Sequence, residues 1–287
     1  MCRRRVVSTV EREHVFPPLM ERHYPIVDGR IQTRSLEAHI VDHCNLTCVE
    51  CCSLSPLLPP WTADPASLFE DLVRAARVVK PRVFKLVGGE PTLHPDLVAI
   101  LRGVRATGIA PKISVTTNGL LLGRLPDAFW EEVDALTISL YPKPRLGAAL
   151  VTHIEAQATR FNVALNWKTQ TQFVRMTRDP VSHDVAETQA VYHDCWLRER
   201  CHLIRDGIFY TCTRPPHMQT LHRGANDFTH DGIPLHDGDS LVDELHAYLM
   251  RETALQACFH CRGGSASMEP HRMMRHAEVQ AEKARFE

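Results

Sequence analysis

The stretch HCNLTCVECCSLSP, residues 43–56, places four cysteines within nine positions. Cys44, Cys48 and Cys51 form the spacing CxxxCxxC, and Cys52 follows directly. Zinc knuckles are typically built from CxxC pairs that complete a closed tetrahedron. Three thiolates on one short loop instead suit three corners of a cubane iron–sulfur cluster, and they leave one iron open to a further ligand. We therefore interpret the first three thiols as cluster ligands and Cys52 as a packed thiol.

The composition of the chain favours metal binding over a disulfide framework. Ten cysteines stand among 287 residues, of which 44% are hydrophobic and 23% charged, so the chain can bury its own core. The basic N-terminus lacks a following apolar segment of about 7–15 residues, and no stretch approaches the roughly 20 apolar residues that span a bilayer. A formal net charge of −1 provides no strong field for nucleic acid. We expect a cytoplasmic protein whose clustered thiols hold metal, without nucleic-acid or membrane partners.

Strand-like and helix-like segments alternate on both sides of the cysteine loop. Strand-like patterns lie at 36–44, 82–91, 112–119, 133–142 and 161–170, and helical patterns lie at 65–80, 94–108 and 145–160. This alternation predicts an α/β fold with a parallel sheet, open or closed into a barrel. Segment 171–194 has no clear pattern. We predict a lead-in over 1–34, a barrel domain over 35–190 and a smaller C-terminal unit over 191–287.

The distinctive residues of this region all follow the carboxyl ends of predicted strands. They are the cysteine loop, Gly88, Gly89 and Glu90 of GGEP (88–91), Thr117 and Asn118 of TTNG (116–119), Ser139, and Asn166 with Lys168. Each of them alone is as readily explained as a turn or solvated loop residue. Parallel α/β folds place their chemistry at the carboxyl edge of the sheet, however, so the joint placement predicts one site there.

With CxxxCxxC after the first predicted strand and GGEP after the second, the chain resembles the radical S-adenosylmethionine (radical SAM) superfamily over about residues 35–170. The resemblance implies a partial (β/α)6 TIM-type barrel and a [4Fe-4S] cluster held by Cys44, Cys48 and Cys51. It also implies SAM contacts from Gly88, Gly89, Glu90, Thr117, Asn118 and Ser139. Members of the superfamily usually carry an aromatic residue before the third cysteine, where this chain has Glu50.

The resemblance also implies the chemistry and an external electron donor. The cluster passes one electron to the sulfonium of SAM, and homolysis gives a 5′-deoxyadenosyl radical that abstracts hydrogen from carbon. The cofactor performs the difficult step, while the protein orients the reactants and excludes competing reactions. We therefore expect a small-molecule substrate and an electron-donor partner such as flavodoxin or ferredoxin.

Five more cysteines lie in the C-terminal third of the chain. CHLIRDGIFYTC (201–212) predicts a hairpin that turns at Asp206-Gly207, and CFHC (258–261) follows a helix predicted over 241–252, with Ser240 and Asp243 as its capping pair. The order resembles the twitch form of the SPASM-type auxiliary domain, which implies one auxiliary [4Fe-4S] cluster. A structural Cys₄ zinc site is the alternative. His193, His202 and His217 lie nearby in sequence, but each is expected to be a non-ligand.

The fourth auxiliary ligand is left open by the sequence. Family spacing selects Cys195 with Cys212, Cys258 and Cys261, which leaves Cys201 as a spare thiol and a candidate hydrogen donor to a substrate radical. Hairpin pairing instead puts Cys201 opposite Cys212 at about 4.5–5.5 Å between Cα atoms, which favours Cys201 as the ligand.

HCNLTCVECCSLSPL (43–57) and the C-terminal segments DGIPLH (231–236), LHAYL (245–249) and CFHC (258–261) resemble those of radical SAM members that tailor natural products, including antibiotics. They imply hydrogen abstraction from a sugar, aminocyclitol or aminoglycoside-like substrate, followed by epimerisation or dehydrogenation. A peptide maturase is the alternative enzyme, less favoured because only about 34 residues precede the first predicted strand. The alternative of another class is a non-catalytic iron–sulfur or zinc scaffold.

Overall fold

A long first strand organises the sheet. In the computed structural model, which describes residues 24–222 and 227–286, β1 (Ile26–Val27) pairs with the start of β2 (Arg30–Val41). Ile31 and Thr33 are buried between more exposed neighbours, so the strand pattern already begins at Arg30. The predicted lead-in over 1–34 therefore overlaps the first residues of β2, and its first 23 residues lie outside the described residues.

Helices and strands then alternate as predicted. They are α1 (Pro65–Val78), β3 (Val79–Gly88), α2 (Leu97–Thr107), β4 (Ile113–Thr117), α3 (Asp127–Glu132), β5 (Ala135–Leu140), α4 (Ala148–Arg160) and β6 (Ala164–Thr169). Strands β2 to β6 are parallel and adjacent in chain order. The predicted α/β fold with a parallel sheet of the partial-barrel type is confirmed. The sequence pattern missed α3, because six residues are too few to display a helical period.

The remaining elements include three strands that extend the sheet beyond β2 and two that form a separate sheet. They are β7 (Gln172–Val174), α5 (Val185–Asp194), β8 (Leu203–Arg205), β9 (Ile208–Tyr210), α6 (Arg214–Leu221), β10 (Ile233–Pro234), α7 (Leu241–Leu249), β11 (Met268–Pro270) and α8 (His276–Ala284). β8 is the sixth parallel strand and lies beside β2, with β9 and β10 following antiparallel. β7 pairs with β11 in a separate two-stranded sheet. The predicted boundary at residue 190 falls within α5, and the division into domains stays a prediction.

The two faces of the sheet have different chemistry. On β2, Leu36, Ala38 and Ile40 are fully buried and pack with the helices in the main core. Because successive side chains alternate in a strand, Glu37 and His39 lie on the opposite, inner face. Because this inner face is polar, polar and apolar residues alternate along β2, although both faces of the strand are covered.

Local signals in the C-terminal part are partly confirmed. The hairpin forms as predicted, with Arg205 opposite Ile208 and positive φ at both turn residues, Asp206 (50°) and Gly207 (75°). The predicted capping pair of α7 is wrong, because the Ser240 hydroxyl donates to the Glu244 carboxylate at 2.6 Å and makes no capping bond to the backbone. Among the described residues, no helix combines the length and apolar character needed to cross a bilayer.

Candidate active site

The end of β3 packs directly against the start of the cysteine loop. The Gly89 N–H donates to the Val41 carbonyl at 2.8 Å, and the Glu90 N–H donates to the His43 carbonyl at 3.1 Å. A Cβ atom at Gly89 would lie 2.1 Å from the His43 carbonyl oxygen, and one at Gly88 would lie 2.2 Å from that of Val41. Only glycine permits this approach. The Gly-Gly pair therefore brings GGEP and the cysteine loop together at the carboxyl edge of the sheet.

Glu90 joins GGEP to TTNG. Its side chain is almost fully buried, and Oε1 accepts hydrogen bonds from the Thr92 amide (3.1 Å) and from the Thr92 and Thr117 hydroxyls (both 2.6 Å). Oε2 accepts from the Asn118 amide at 2.7 Å. Burial raises the pKa of Glu90, and these hydrogen bonds oppose that rise. With one donor on it, Oε2 keeps room for another; its contact with the SAM amino group stays a prediction.

TTNG also reaches the cysteine loop. The Asn118 side-chain amide donates to the side-chain oxygen Oδ1 of Asn45 at 2.6 Å and lies 3.9 Å from the Cys44 sulfur. The same sulfur accepts from the Leu46 amide at 3.4 Å. The first cysteine of the loop is therefore surrounded by groups that donate hydrogen bonds, as an anionic metal ligand requires.

The three thiols of the loop lie close enough to affect one another. Burial raises the pKa of Cys44 to about 11 and that of Cys51 to about 12. The pKa of Cys48 is also raised, first by burial and then by the charges of Cys51 and Cys44. Glu50 takes a left-handed conformation (φ 52°) between them. Three partly or fully buried thiols on one short loop are a donor set that fits the iron–sulfur cluster that the spacing predicts.

The ends of β5 and β6 complete this edge. Ser139 lies opposite Lys168 and Thr137 lies opposite Asn166 in the parallel register, and the Asn166 amide donates to the Thr137 hydroxyl at 3.5 Å. The predicted residues of these two strands therefore stand side by side, while their contacts with cofactor or substrate stay predictions.

A second group of cysteines assembles from three separate segments. Cys195, Cys212, Cys258 and Cys261 line one small cavity. Burial raises the pKa of Cys212, followed by the charges of the other three thiols, so all four converge.

Two glycine amides donate to sulfurs of this second group, from Gly264 to Cys195 at 3.2 Å and from Gly263 to Cys261 at 3.3 Å. Gly263 has the left-handed φ of 75° that this turn requires. Amide donors and four thiols around one cavity suit an iron–sulfur cluster, whereas among the described residues no three cysteine sulfurs lie within 4.8 Å of one another, as a single zinc ion needs.

Asp231 fixes the segment that carries the last two cysteines. Its two carboxylate oxygens accept from the Gln256 and Ala257 amides, both at 2.7 Å. Those amides belong to the short 3₁₀ turn that contains Cys258. A buried carboxylate with two amide donors holds such a turn in place, so Asp231 positions the CFHC segment.

Cys201 does not line that small cavity, but it packs against the same hydrophobic cluster as Cys195 and Cys212, and it lies next to an ion pair on the inner face of the sheet. Lys85 Nζ lies 2.9 Å from the Glu37 carboxylate, and the charge of Glu37 raises the pKa of Lys85 against the effect of burial. Burial raises the pKa of Cys201, and the charge of Glu37 adds to this. Cys52 and Cys195 affect the same thiol. Cys201 is thus near both cysteine groups, and whether Cys195 or Cys201 is the fourth auxiliary ligand stays a prediction.

A cavity of about 280 Å³ borders both cysteine regions. Cys48 and Cys51 line one part of it, and Thr177 and Arg262 line another. Thr177 pairs with Cys261 across an isolated bridge, and Arg262 follows Cys261 in the chain. Four arginines line this cavity: Arg175, Arg262, Arg272 and Arg285.

A buried ion pair that the sequence did not indicate links the two halves of the site. Arg205 donates to both oxygens of Asp42 at 2.6 and 2.8 Å, and His217 Nε2 lies 3.6 Å from the same carboxylate. Burial raises the pKa of Asp42, but the hydrogen bonds from His217 and Arg205 outweigh it and hold the pKa well below its usual range. Ligand atoms of Asp42, His217 and His39 lie within 4.8 Å of one another. Because Arg205 occupies both carboxylate oxygens, this cluster is explained as an ion-pair network.

The other two histidines near the second cysteine group have separate environments. His202 contacts the Thr211 carbonyl at 3.2 Å, and burial lowers its pKa to about 4. His193 is exposed and lies 3.5 Å from the Glu252 carboxylate. That neither of them is a metal ligand stays a prediction.

A known protein family matches the first cysteine group and the strands around it. Residues 39–141 match the family model described as "Radical SAM superfamily". The predicted resemblance is confirmed, and the chain carries a radical SAM domain with its expected SAM and [4Fe-4S] cofactors. The assignment of the C-terminal part to the twitch type stays a prediction.

Two curated relatives are named for related functions. The chain is 26% identical over 246 residues to "Molybdenum cofactor biosynthesis protein 1" of Drosophila melanogaster, and the match covers 73% of this chain and 41% of that protein. It is 35% identical over 118 residues to a "GTP 3',8-cyclase" of Streptomyces coelicolor, and the match covers 39% of this chain and 34% of that enzyme. The chain thus spans less than half the length of either relative.

Two solved structures are similar at low identity. "Crystal structure of BtrN in complex with AdoMet and 2-DOIA" has 14% identity and a TM-score of 0.46, and it covers 84% of this chain and 98% of that one. "Native anSMEcpe with bound AdoMet and Cp18Cys peptide" has 12% identity and a TM-score of 0.40, with coverages of 88% and 96%.

The names of the curated relatives correct the predicted reaction. They refer to molybdenum cofactor biosynthesis and to GTP 3',8-cyclases, so the prediction of an epimerase or dehydrogenase that acts on a sugar, aminocyclitol or aminoglycoside-like compound is wrong. The prediction rested on a resemblance of short motifs, and a shared fold or motif does not by itself identify the substrate.

Proposed function

We propose that the chain is a radical SAM enzyme that acts on a purine nucleoside triphosphate, with GTP as the first candidate. The observation that supports this proposal is the arginine-lined cavity that borders both cysteine regions. Its volume, about 280 Å³, is near the lower end of the range for small-molecule sites. Guanidinium groups bind phosphate through paired hydrogen bonds, so a polyphosphate suits this lining. The substrate class comes from the names of relatives that share chiefly the radical SAM part of the chain.

The cavity also contains carboxylates that hold the arginines while no anion is bound. Arg175 lies 3.9 Å from both Glu50 and Glu269, and Arg285 pairs with Asp179 and Glu282. Ion pairs between partly exposed side chains contribute only about 0–1 kcal/mol. Breaking these pairs, so that the arginines contact a triphosphate instead, therefore costs little.

In this proposal the two cysteine groups have separate tasks. Cys44, Cys48 and Cys51 hold a [4Fe-4S] cluster, and Cys195, Cys212, Cys258 and Cys261 hold an auxiliary one. When bound, the first cluster and SAM supply the reductive cleavage that gives a 5′-deoxyadenosyl radical. Glu90 fixes the GGEP and TTNG segments around the amino-acid end of SAM. An external donor such as flavodoxin or ferredoxin supplies the electron.

Further polar groups lie on the inner face of the sheet, outside the lining of the arginine-lined cavity. Lys85 uses one of its three donors on Glu37, which leaves two for a polar ligand on the inner face. Cys201 lies beside this pair. Its predicted role as a hydrogen donor belonged to the epimerase hypothesis, and it is not needed for the function proposed here.

Binding and turnover with nucleotides test the proposal. Reconstituted full-length protein is incubated anaerobically with SAM and a reductant, and 5′-deoxyadenosine is measured with GTP, ATP or guanosine. We expect GTP to increase its formation most and guanosine least. The double variant Arg175→Ala/Arg262→Ala should bind GTP more weakly by about a hundredfold or more, because it loses two charge-assisted interactions of about 1.5–3 kcal/mol each.

Arg102→Ala is the matched control, because Arg102 is exposed on α2 and pairs with Glu132 away from the cavity. GTP binding that is equally strong in all three proteins, or 5′-deoxyadenosine formation that no nucleotide affects, would remove the proposed substrate class. The radical SAM chemistry itself would remain.

A further inference from the structure

The C-terminal segment pairs with the cysteine loop. The Val49 amide donates to the Arg272 carbonyl at 2.9 Å, and the Met274 amide donates to the Thr47 carbonyl at 2.8 Å. The Thr47 hydroxyl returns a hydrogen bond to the Met274 carbonyl at 2.8 Å. These bonds flank Cys48 on both sides in the chain. The second cysteine of CxxxCxxC is thus held by a segment more than 220 residues away in sequence.

One side chain of that segment touches the Cys48 sulfur. His271 Nε2 lies 3.2 Å from the Cys48 Sγ, within the range of a hydrogen bond to sulfur. The His271 ring stacks on Tyr141, with 4.7 Å between centroids and 22° between planes, and Phe173 lies on it at 5.6 Å. The His271 amide donates to the Thr171 carbonyl at 2.8 Å. The ring is 9% exposed and fixed by these neighbours.

The surroundings of the ring select its tautomer. His271 Nδ1 is buried without a hydrogen-bond partner among the described residues. A neutral imidazole carries a single N–H, and a buried N–H without an acceptor costs about 1–3 kcal/mol. On Nε2 the hydrogen points to the Cys48 sulfur, which is a thiolate acceptor when it binds iron. We therefore assign the hydrogen to Nε2.

We propose that His271 donates an N–H···S hydrogen bond to the Cys48 ligand of the first iron–sulfur cluster and thereby raises its reduction potential. Reduction adds negative charge to the cluster, and a hydrogen-bond donor stabilises the more negative state of a sulfur ligand more strongly. His271 is therefore a positioning residue of this centre and acts through Cys48. The inference does not depend on the identity of the substrate.

His271→Phe tests the proposal, because phenylalanine retains an aromatic ring against Tyr141 but lacks the N–H. The full-length variant is reconstituted anaerobically, its iron content is measured, and a redox titration is followed by electron paramagnetic resonance. We expect unchanged iron and a reduced-to-oxidised ratio of the first cluster about tenfold lower at fixed potential, which is a midpoint about 59 mV lower. His276→Phe, at an exposed position five residues along the same segment, should leave the midpoint unchanged.

Two results would overturn this role. An unchanged midpoint in His271→Phe with full iron content would mean that the imidazole does not affect the sulfur. If the variant loses the first cluster instead, the wild-type protein decides the question. After exchange into D₂O and ¹⁵N-labelling of histidine, electron–nuclear double resonance should detect a histidine deuteron coupled to the reduced cluster, and the absence of that coupling would contradict the proposal.

Discussion

The two cysteine groups of this protein are built in opposite ways. The first occupies eight consecutive positions, from Cys44 to Cys51, and it is placed by one strand end and a Gly-Gly contact. The second gathers Cys195, Cys212, Cys258 and Cys261 from three segments, held by the hairpin of β8 and β9 and by Asp231. A local group can be read from its spacing, whereas a group assembled by the fold becomes clear only when the segments are packed together.

The largest expected effect concerns the local group. Replacing Cys44, Cys48 and Cys51 together with alanine should abolish 5′-deoxyadenosine formation and leave roughly half of the iron, because the second group is assembled by other segments. Iron analysis and an anaerobic product assay check this. If all the iron is lost together, the two groups are not independent, and the contrast drawn between them fails.

The next effect separates the thiols of the assembled group. Cys212→Ala should lose about half of the iron, because the other three thiols converge on Cys212. Cys201→Ala is the matched control from the opposite position of the same hairpin, and it should keep its full iron content. Loss of about four irons in Cys201→Ala would instead make Cys201 a ligand, as the hairpin pairing alone suggests.

The smallest of these effects concerns Glu90. Glu90→Gln places an amide where Oε1 or Oε2 now accepts hydrogen bonds, so one donor faces another. We expect SAM to bind roughly tenfold or more weakly, since a charge-assisted hydrogen bond contributes about 1.5–3 kcal/mol. Equilibrium binding and iron analysis check this. Unaltered SAM affinity accompanied by lost iron would make Glu90 purely structural.

Much of the fold follows from the sequence because its signals are local. The strand-and-helix alternation, the hairpin turn at Asp206-Gly207 and the cysteine loop each depend on neighbours within about a dozen residues. The position of β8 beside β2 depends on packing between segments about 165 residues apart. No pattern within either strand indicates that pairing.

The residues that sequence reasoning missed share this long-range character. Asp42 directly precedes the quoted cysteine region and Arg205 lies in the predicted hairpin, but only the fold shows that they form a buried pair. His271 lies in a segment with no motif, and its contact with Cys48 joins distant parts of the chain. The substrate was predicted wrongly for a related reason, since substrate recognition depends on the packed site and not on short motifs.

Metal analysis of the wild-type protein tests the central claim most directly. The account predicts that anaerobic reconstitution gives roughly eight irons per chain, in two [4Fe-4S] clusters, together with little zinc and SAM cleavage to 5′-deoxyadenosine. About four irons with one stoichiometric zinc would contradict it, because the assembled group would then be a structural zinc site and only the local group would carry a cluster.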